Sequence, residues 1–132
     1  HYIATREDID GTRIGVLAVR PGGAQMITLL AVEPRVGAGV LIGGGAVALG
    51  DPPPPDAPFN YLPRIRQPVL MLSGRWDLVF SQGSQERMLQ LLGAPDDRKQ
   101  RVVFDVGHGV VPQAEFVRRT VEWFDRYLGP VP

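Results

Sequence analysis

The sequence predicts an α/β fold of about four mainly parallel strands with flanking helices. Short runs rich in Val, Ile and Leu alternate with segments of helical periodicity, and glycine or proline separates them. Parallel strands need a crossover connection, which such helices supply. In addition, Arg20, Asp77 and His108 each follow a predicted strand closely. Because ligands in parallel sheets bind at the carboxyl ends of strands, this is the edge where we expect a site.

The first part of the chain predicts two strands joined by a helix. Residues 2–10 have loose helical spacing before the turn dipeptide Asp10-Gly11. Residues 12–19 predict a strand buried on both faces, because nearly every position is apolar or small. Residues 23–33 are apolar almost all round and predict a buried helix that ends before Pro34. Residues 36–42 predict the second strand.

The middle of the chain is dominated by proline. Residues 50–56 include four consecutive prolines, which cannot join a sheet ladder or a helix interior. We interpret this run as a stiff surface connection in preference to a recognition site for a partner. Residues 59–65 predict a short helical turn, and the apolar run 69–72 predicts the third strand.

The last part predicts a helix, a strand and a final helix. Residues 81–92 predict a helix with Gly93 just beyond its end. Residues 100–106 predict the fourth strand, and residues 107–109 a loop. The final helix begins at Pro112, where a missing N–H costs little. Its predicted apolar stripe is formed by Val117, Val121, Phe124 and Leu128.

The composition limits the classes of protein to which the chain can belong. The 132 residues are 44% hydrophobic and 21% charged, as in ordinary globular domains. Fourteen basic and fourteen acidic residues cancel, so the charge predicts neither nucleic-acid nor anionic-membrane binding. No apolar run reaches the ~20 residues of a membrane helix. Cysteine is absent, which excludes disulfides, thiolate metal sites and a thiol nucleophile. The chain starts at His1 without a signal-peptide pattern, which suggests a longer parent and favours the cytoplasm over secretion, although the compartment stays open.

The turn between the first strand and the first helix carries an unusual motif. In the nucleophile-elbow pattern G-x-S-x-G, a strained strand-to-helix turn exposes the reactive side chain. Here the five positions are Ala18, Val19, Arg20, Pro21 and Gly22. The frame of the elbow is present, but arginine stands at the nucleophile position.

Two further segments carry a family resemblance. Residues 66–77 resemble the strand and acid loop of the α/β-hydrolase superfamily, more narrowly the branch of dienelactone hydrolases and prolyl oligopeptidase-like enzymes. Residues 103–109 resemble its final strand and histidine loop, and the order nucleophile, acid, histidine is the hydrolase order. The resemblance covers nearly the whole chain but only the C-terminal half of that fold. It implies that residues 1–132 are a single partial α/β-hydrolase domain, without the N-terminal strands and the loop of the second oxyanion donor.

The resemblance implies roles for two residues. His108 would be the general base and Asp77 the acid that orients it, acting on a small ester or peptide-like substrate. The alternatives are a loop histidine satisfied by its surroundings and an aspartate that caps a turn. Asp105 competes with Asp77 for His108, but a residue on the strand is expected to point sideways.

Two departures from the pattern predict that the chain is inactive as written. The guanidinium of Arg20 stays protonated and has no lone pair to attack with. No serine precedes Ser73, and Thr28 lies within a predicted helix. Pro21 lacks the backbone N–H that would normally be an oxyanion donor, and it is expected to bias Arg20 away from a sharp elbow.

Other kinds of site find little support. The glycines of residues 37–43 imitate a nucleotide-binding loop, but such a loop follows a strand, whereas these residues form the strand itself. His1 and His108 lack neighbouring metal ligands, so we expect no metal and no cofactor. Three hypotheses stay open: a hydrolase-family domain, a pseudoenzyme used as a binding or accessory module with upstream domains of the same polypeptide, and an incomplete gene product. Residues 124–130 are similar to the ends of hydrolase domains that close large multidomain proteins, which favours the second.

Overall fold

The computed structural model describes residues 2–46, 53–109 and 111–130, in which strands and helices alternate. The strands are β1 (Ile14–Val19), β2 (Val36–Ile42), β3 (Val69–Gly74) and β4 (Lys99–Phe104). The α-helices are α1 (Gly22–Val32), α2 (Gln82–Leu91) and α3 (Gln113–Leu128). Short 3-10 helices span Ile3–Thr5, Pro58–Arg64 and Asp96–Arg98.

The four strands form one parallel sheet in the order β1-β2-β3-β4. This confirms the predicted fold class. Each strand pairs with the next along the chain, and the helices between them serve as crossovers. All four carboxyl ends therefore lie at the same edge of the sheet.

Helices cover both faces of the sheet. Helices α1 and α2 and the 3-10 helix Pro58–Arg64 contribute to the core on one face, and α3 packs on the other. Alternate residues of β3 serve the two cores: Val69 and Met71 belong to the first, and Leu70 and Leu72 to the second. Burial on both faces explains why β2 and the first four residues of β3 are apolar without interruption.

Burial of β1 and α1 was predicted wrongly. Leu17 and Val19 of β1 are 43% and 46% exposed, and Val32 of α1 is 62% exposed. Because β1 is the edge strand of the described sheet, it has one neighbouring strand and less cover than β2. The apolar composition indicated that these segments are suited to burial. It did not reveal that no other element of the described structure packs against part of their surface.

The predicted stripe of α3 is only half correct. Phe124 and Leu128 pack against the sheet core, but Val117 and Val121 are 48% and 50% exposed. The remaining packed side chains of the helix are mostly aromatic: Phe116, Trp123 and Tyr127. The apolar arc of α3 is wider than one stripe, and its bulkier side faces the strands.

The connections differ in detail from the prediction. Of residues 2–10, only Ile3–Thr5 form a helical turn, of the 3-10 type. In the proline run, residues 50–52 lie outside the described residues, while Pro54 and Pro55 are exposed, as a surface connection requires. Across the described ranges, no helix combines the length and apolarity needed to cross a bilayer.

The two edges of the sheet have different chemistry. β4 begins with Lys99-Gln100-Arg101, and charged side chains discourage pairing with another chain. β1 reads Ile-Gly-Val-Leu-Ala-Val and contains neither a charge nor a proline. Its outer backbone groups are therefore free to pair with another strand.

We expect the chain to self-associate through β1. The double change Leu17→Lys, Val19→Lys places charges beside the open edge and should shift the population towards monomer in sedimentation velocity. Ile9→Lys is the matched control, since Ile9 is similarly exposed, at 41%, but lies outside the sheet. A monodisperse monomer of the unchanged chain at every concentration would contradict this prediction.

Candidate functional site

Hydrogen bonds of the parallel ladder continue beyond the strands at the carboxyl edge. These bonds hold the first residue of each following loop to the neighbouring strand. They run from Arg20 N to Ile42 O (2.9 Å), from Gly43 N to Leu72 O (2.9 Å) and from Arg75 N to Phe104 O (2.7 Å). The elbow that carries Arg20, the turn after β2 and the acid loop that carries Asp77 thus start from fixed positions. Trp76 N also donates to Val106 O (3.0 Å), which ties the acid loop to the segment that leads to His108.

The structure brings the predicted acid and histidine together. His108 Nδ1 lies 3.0 Å from Asp77 Oδ2. The Asp77 side chain is fully buried, whereas 28% of the His108 side chain is exposed. The ring centroid of Phe80 lies 5.9 Å from that of the imidazole and limits its movement. The pair therefore has a buried carboxylate and a partly accessible imidazole.

The acid loop satisfies the other oxygen of Asp77 itself. Oδ1 accepts hydrogen bonds from the backbone N–H of Val79 (2.8 Å) and of Phe80 (2.9 Å). Burial alone raises the pKa of Asp77, but the hydrogen bonds from Phe80, His108 and Val79 outweigh it and hold the pKa below its usual value. Asp77 is consequently ionised over the neutral range.

The ionised carboxylate fixes the tautomer of the histidine. A carboxylate only accepts hydrogen bonds, so His108 Nδ1 must donate its hydrogen to Asp77. In the neutral ring this leaves the lone pair on Nε2, where a general base needs it. The arrangement could accept a proton and stabilise the resulting imidazolium.

A second layer of contacts behind the acid loop was missed in the sequence. Arg101, whose side chain is only 6% exposed, donates from Nε to Ser73 Oγ (2.9 Å) and from a terminal nitrogen to Gln82 Oε1. Gln82 Nε2 in turn donates to the carbonyl oxygens of Gly74 (2.7 Å) and Arg75 (3.1 Å). This network ties α2 and β4 to the loop that presents Asp77. The available clue was an arginine placed next to the apolar run of residues 102–104 in β4.

Arg20 occupies the elbow in a strained conformation. Its φ is +52°, and among the described residues it is the only non-glycine residue with positive φ. The prediction that Pro21 biases Arg20 away from a sharp elbow is wrong. The proline disfavours the right-handed helical region for Arg20, and the bonds Arg20 N to Ile42 O and Gly23 N to Arg20 O (2.9 Å each) fix the left-handed turn.

Two glycines allow the Arg20 and His108 loops to meet. A Cβ on Gly109 would collide with Arg20 Nε and lie 3.1 Å from Arg20 Cγ, so the arginine side chain runs across this glycine. Gly43 has φ +51°, and a Cβ there would lie 2.6 Å from Gly109 N. The end of β2, the histidine loop and the elbow residue therefore touch one another.

The residues considered as alternatives for the site lie away from the Asp77–His108 pair or have other partners. Asp105 is exposed and pairs with Arg75, so it does not compete for His108. Thr28 Oγ1 donates to Ala24 O (3.3 Å) within α1, as expected for a helical threonine. The glycines of residues 37–43 lie on or directly after β2, which agrees with the rejection of a nucleotide-binding loop.

Comparison with known proteins finds likeness in structure only. No family model and no curated protein matches the sequence. An esterase from an Arctic intertidal metagenomic library superposes with a TM-score of 0.71 at 21% identity, over 88% of this chain and 49% of that one. A Klebsiella pneumoniae protein assigned as a dienelactone hydrolase gives 0.78 at 24% identity, over 94% and 56%. An acylaminoacyl peptidase bound to a chloromethyl ketone gives 0.79 at 17% identity, over 99% and 26%.

These neighbours establish the fold. The described chain has part of the α/β-hydrolase fold, as the resemblance of its motifs implied. The chain spans about half the length of the esterase and of the dienelactone hydrolase, and about a quarter of the peptidase. At these identities the likeness extends to the fold and not to activity.

The first prediction from the site concerns the charge of Asp77. We expect Asp77→Asn to lower the free energy of unfolding by about 1.5–3 kcal/mol at pH 7, the range for hydrogen bonds to charged groups. The folded-state pKa of Asp77 lies below its ordinary 3.8, so the stabilisation is complete above that pH and disappears as the pH falls through the folded-state pKa. Denaturant titrations should show the difference between the two proteins closing below pH 3.8.

Asp105→Asn provides the control, because it removes an exposed carboxylate at the adjacent strand end. We expect its effect to stay within about 0.5 kcal/mol. An Asp77→Asn effect that does not change with pH would contradict the assignment of the stabilisation to the ionised carboxylate.

The second prediction concerns the approach of the loops. Gly43→Ala forces a Cβ into a left-handed conformation and against the backbone of Gly109. We expect a loss of about 2 kcal/mol or more in the free energy of unfolding. Gly83→Ala in α2 meets no atom within 4 Å and should be neutral or slightly stabilising. Equal melting temperatures of the two variants would refute the close contact.

Proposed function

We propose that this chain is a hydrolase-type unit that retains the acid–base pair of an ester or acyl-bond hydrolase but does not catalyse. One observation carries the proposal: Arg20 stands at the strained elbow while Asp77 and His108 form their hydrogen bond at the adjacent loops. The esterase, dienelactone hydrolase and peptidase among the structural neighbours make a small ester or peptide-like compound the substrate class of an active relative.

The chemistry of acyl transfer defines what is missing. A hydroxyl at the elbow attacks the carbonyl carbon once the imidazole takes its proton, and the carboxylate stabilises the imidazolium. Asp77 and His108 are suited to these two tasks. The guanidinium of Arg20 remains protonated and offers no electron pair, so no covalent intermediate can form there.

Pro21 removes a second component. The residue after the nucleophile normally donates its N–H to the developing oxyanion. Proline has no such hydrogen, and losing one oxyanion donor costs about 100- to 1,000-fold in rate. A serine at position 20 alone would therefore not restore an efficient site.

The test is labelling with a fluorophosphonate, which reacts with activated serines. We expect no labelling of the unchanged chain, and labelling of the variant Arg20→Ser, Pro21→Gly. The single change Arg20→Ser should react about 100- to 1,000-fold more slowly than the double variant, because it lacks the donor. Adding His108→Ala to the double variant should abolish labelling.

Arg98→Ser is the matched control, since it places a serine at the amino edge of the sheet, just before β4. It should stay unlabelled. Labelling of the unchanged chain would refute the inactive assignment. A folded double variant that gains no labelling would refute the role assigned to Asp77 and His108.

A second candidate is an accessory module within a larger protein, and the open edge of β1 favours it. Leu17 and Val19 beside that edge and Val117 and Val121 on α3 leave apolar surface uncovered. Upstream sequence of the same polypeptide, forming further strands, would be the natural cover. Residues 1–132 would then be the C-terminal portion of a single α/β-hydrolase domain.

A further inference from the structure

The Arg20 side chain is held in place rather than extended freely into solvent. The residue is exposed, yet its Cγ and Nε lie against Gly109, which follows His108. Its left-handed backbone is strained and is maintained by the surrounding hydrogen bonds. The fold thus keeps a guanidinium at the edge where the strands end.

This guanidinium differs from most arginines of the chain in its partners. Within the described ranges its nitrogens make no ion pair and no hydrogen bond. The arginines that do pair with a carboxylate are Arg6, Arg13, Arg35, Arg75, Arg101, Arg118 and Arg119. The nearby carboxylate of Asp77 is already occupied by Val79 N, Phe80 N and His108 Nδ1. The donors of Arg20 are therefore available to an external acceptor.

The acid loop adds apolar surface to the same edge. Trp76, Leu78 and Val79 are 66%, 98% and 58% exposed and flank the buried Asp77. Exposed apolar side chains grouped on one loop are typical of binding surfaces. The acid loop thus adds exposed apolar side chains to the same edge of the sheet that carries the Arg20 guanidinium.

We propose that this edge binds the carboxylate of a small monoacid with an apolar body, with Arg20 as the anchor for the carboxylate. A planar guanidinium matches a carboxylate with two parallel hydrogen bonds. A single guanidinium supplies one positive charge, which balances a monoanion but not a multiply charged phosphate. This inference rests on the proposed function: hydrolysis of an ester releases a carboxylic acid, and arginine in place of the nucleophile turns a site for the ester into one that retains the acid.

Isothermal titration and amide chemical-shift titration with hexanoate test the site. We expect saturable binding, with shifts at residues of the elbow and the acid and histidine loops. Hexanamide has the same apolar body without the charge and should bind at least about tenfold more weakly, the factor expected from a charge-assisted hydrogen bond. Inorganic phosphate should bind more weakly than hexanoate.

Variants separate the anchor from general charge. Arg20→Gln should weaken hexanoate binding about tenfold or more. Arg20→Lys keeps the charge but loses the planar guanidinium, so its affinity for hexanoate should lie between those of the unchanged chain and Arg20→Gln. Arg98→Gln removes an exposed arginine at the opposite edge and should change the affinity less than twofold. Circular dichroism establishes that each variant is folded.

Three results would overturn the proposal: equal binding of hexanoate and hexanamide, tighter binding of phosphate, or unchanged hexanoate affinity in Arg20→Gln. These outcomes are distinguishable from failure of the proposed function. Fluorophosphonate labelling of the unchanged chain would refute the inactive assignment whatever the titrations give. Failed titrations leave the labelling experiment unaffected.

Discussion

The parallel hydrogen-bond ladder extends past the strand ends, and every feature of the site depends on that extension. The backbone N–H groups of Arg20, Gly43 and Arg75 each donate to a residue of the neighbouring strand. Because these bonds are made by the first residues beyond β1, β2 and β3, they fix where the elbow, the turn after β2 and the acid loop begin. The Arg20 side chain meets Gly109, more than 80 residues further along the chain, as a result.

The acid loop shows how a buried charge is tolerated. Asp77 is removed from water, which by itself would favour its neutral form. Three hydrogen bonds restore the ionised form, two of them from N–H groups in the next three residues of the same loop. Arg101 and Gln82 hold the backbone of this loop from behind. The carboxylate of the His108 pair is thus held in place by its own loop and by side chains of α2 and β4.

The turn between β1 and α1 has a strained residue at its centre. Strained backbone is usually retained where it positions a functional group. Here the strained residue is an arginine, and the cost is met by the bonds to Ile42 and Gly23 together with the close approach of Gly109. The position therefore presents a cationic side chain at the carboxyl edge. The sheet of this partial fold is also asymmetric, because β4 carries charged residues at one edge whereas β1 at the other edge has none.

The sequence by itself determined the order and type of the elements, the parallel sheet, and the choice of Asp77 and His108 as two residues that meet at the carboxyl edge. Apolar periodicity and the glycine and proline boundaries are local properties of the sequence. The carboxyl ends of parallel strands lie at one edge of the sheet whichever side chains follow them. Only the tertiary structure decided which apolar faces are covered, as Leu17, Val19 and Val117 illustrate. It also decided the conformation of Arg20 and the network around Arg101. These features depend on residues that are distant in sequence. A local sequence pattern shows that a segment is suited to burial or to a turn, but not whether another part of the chain packs against it.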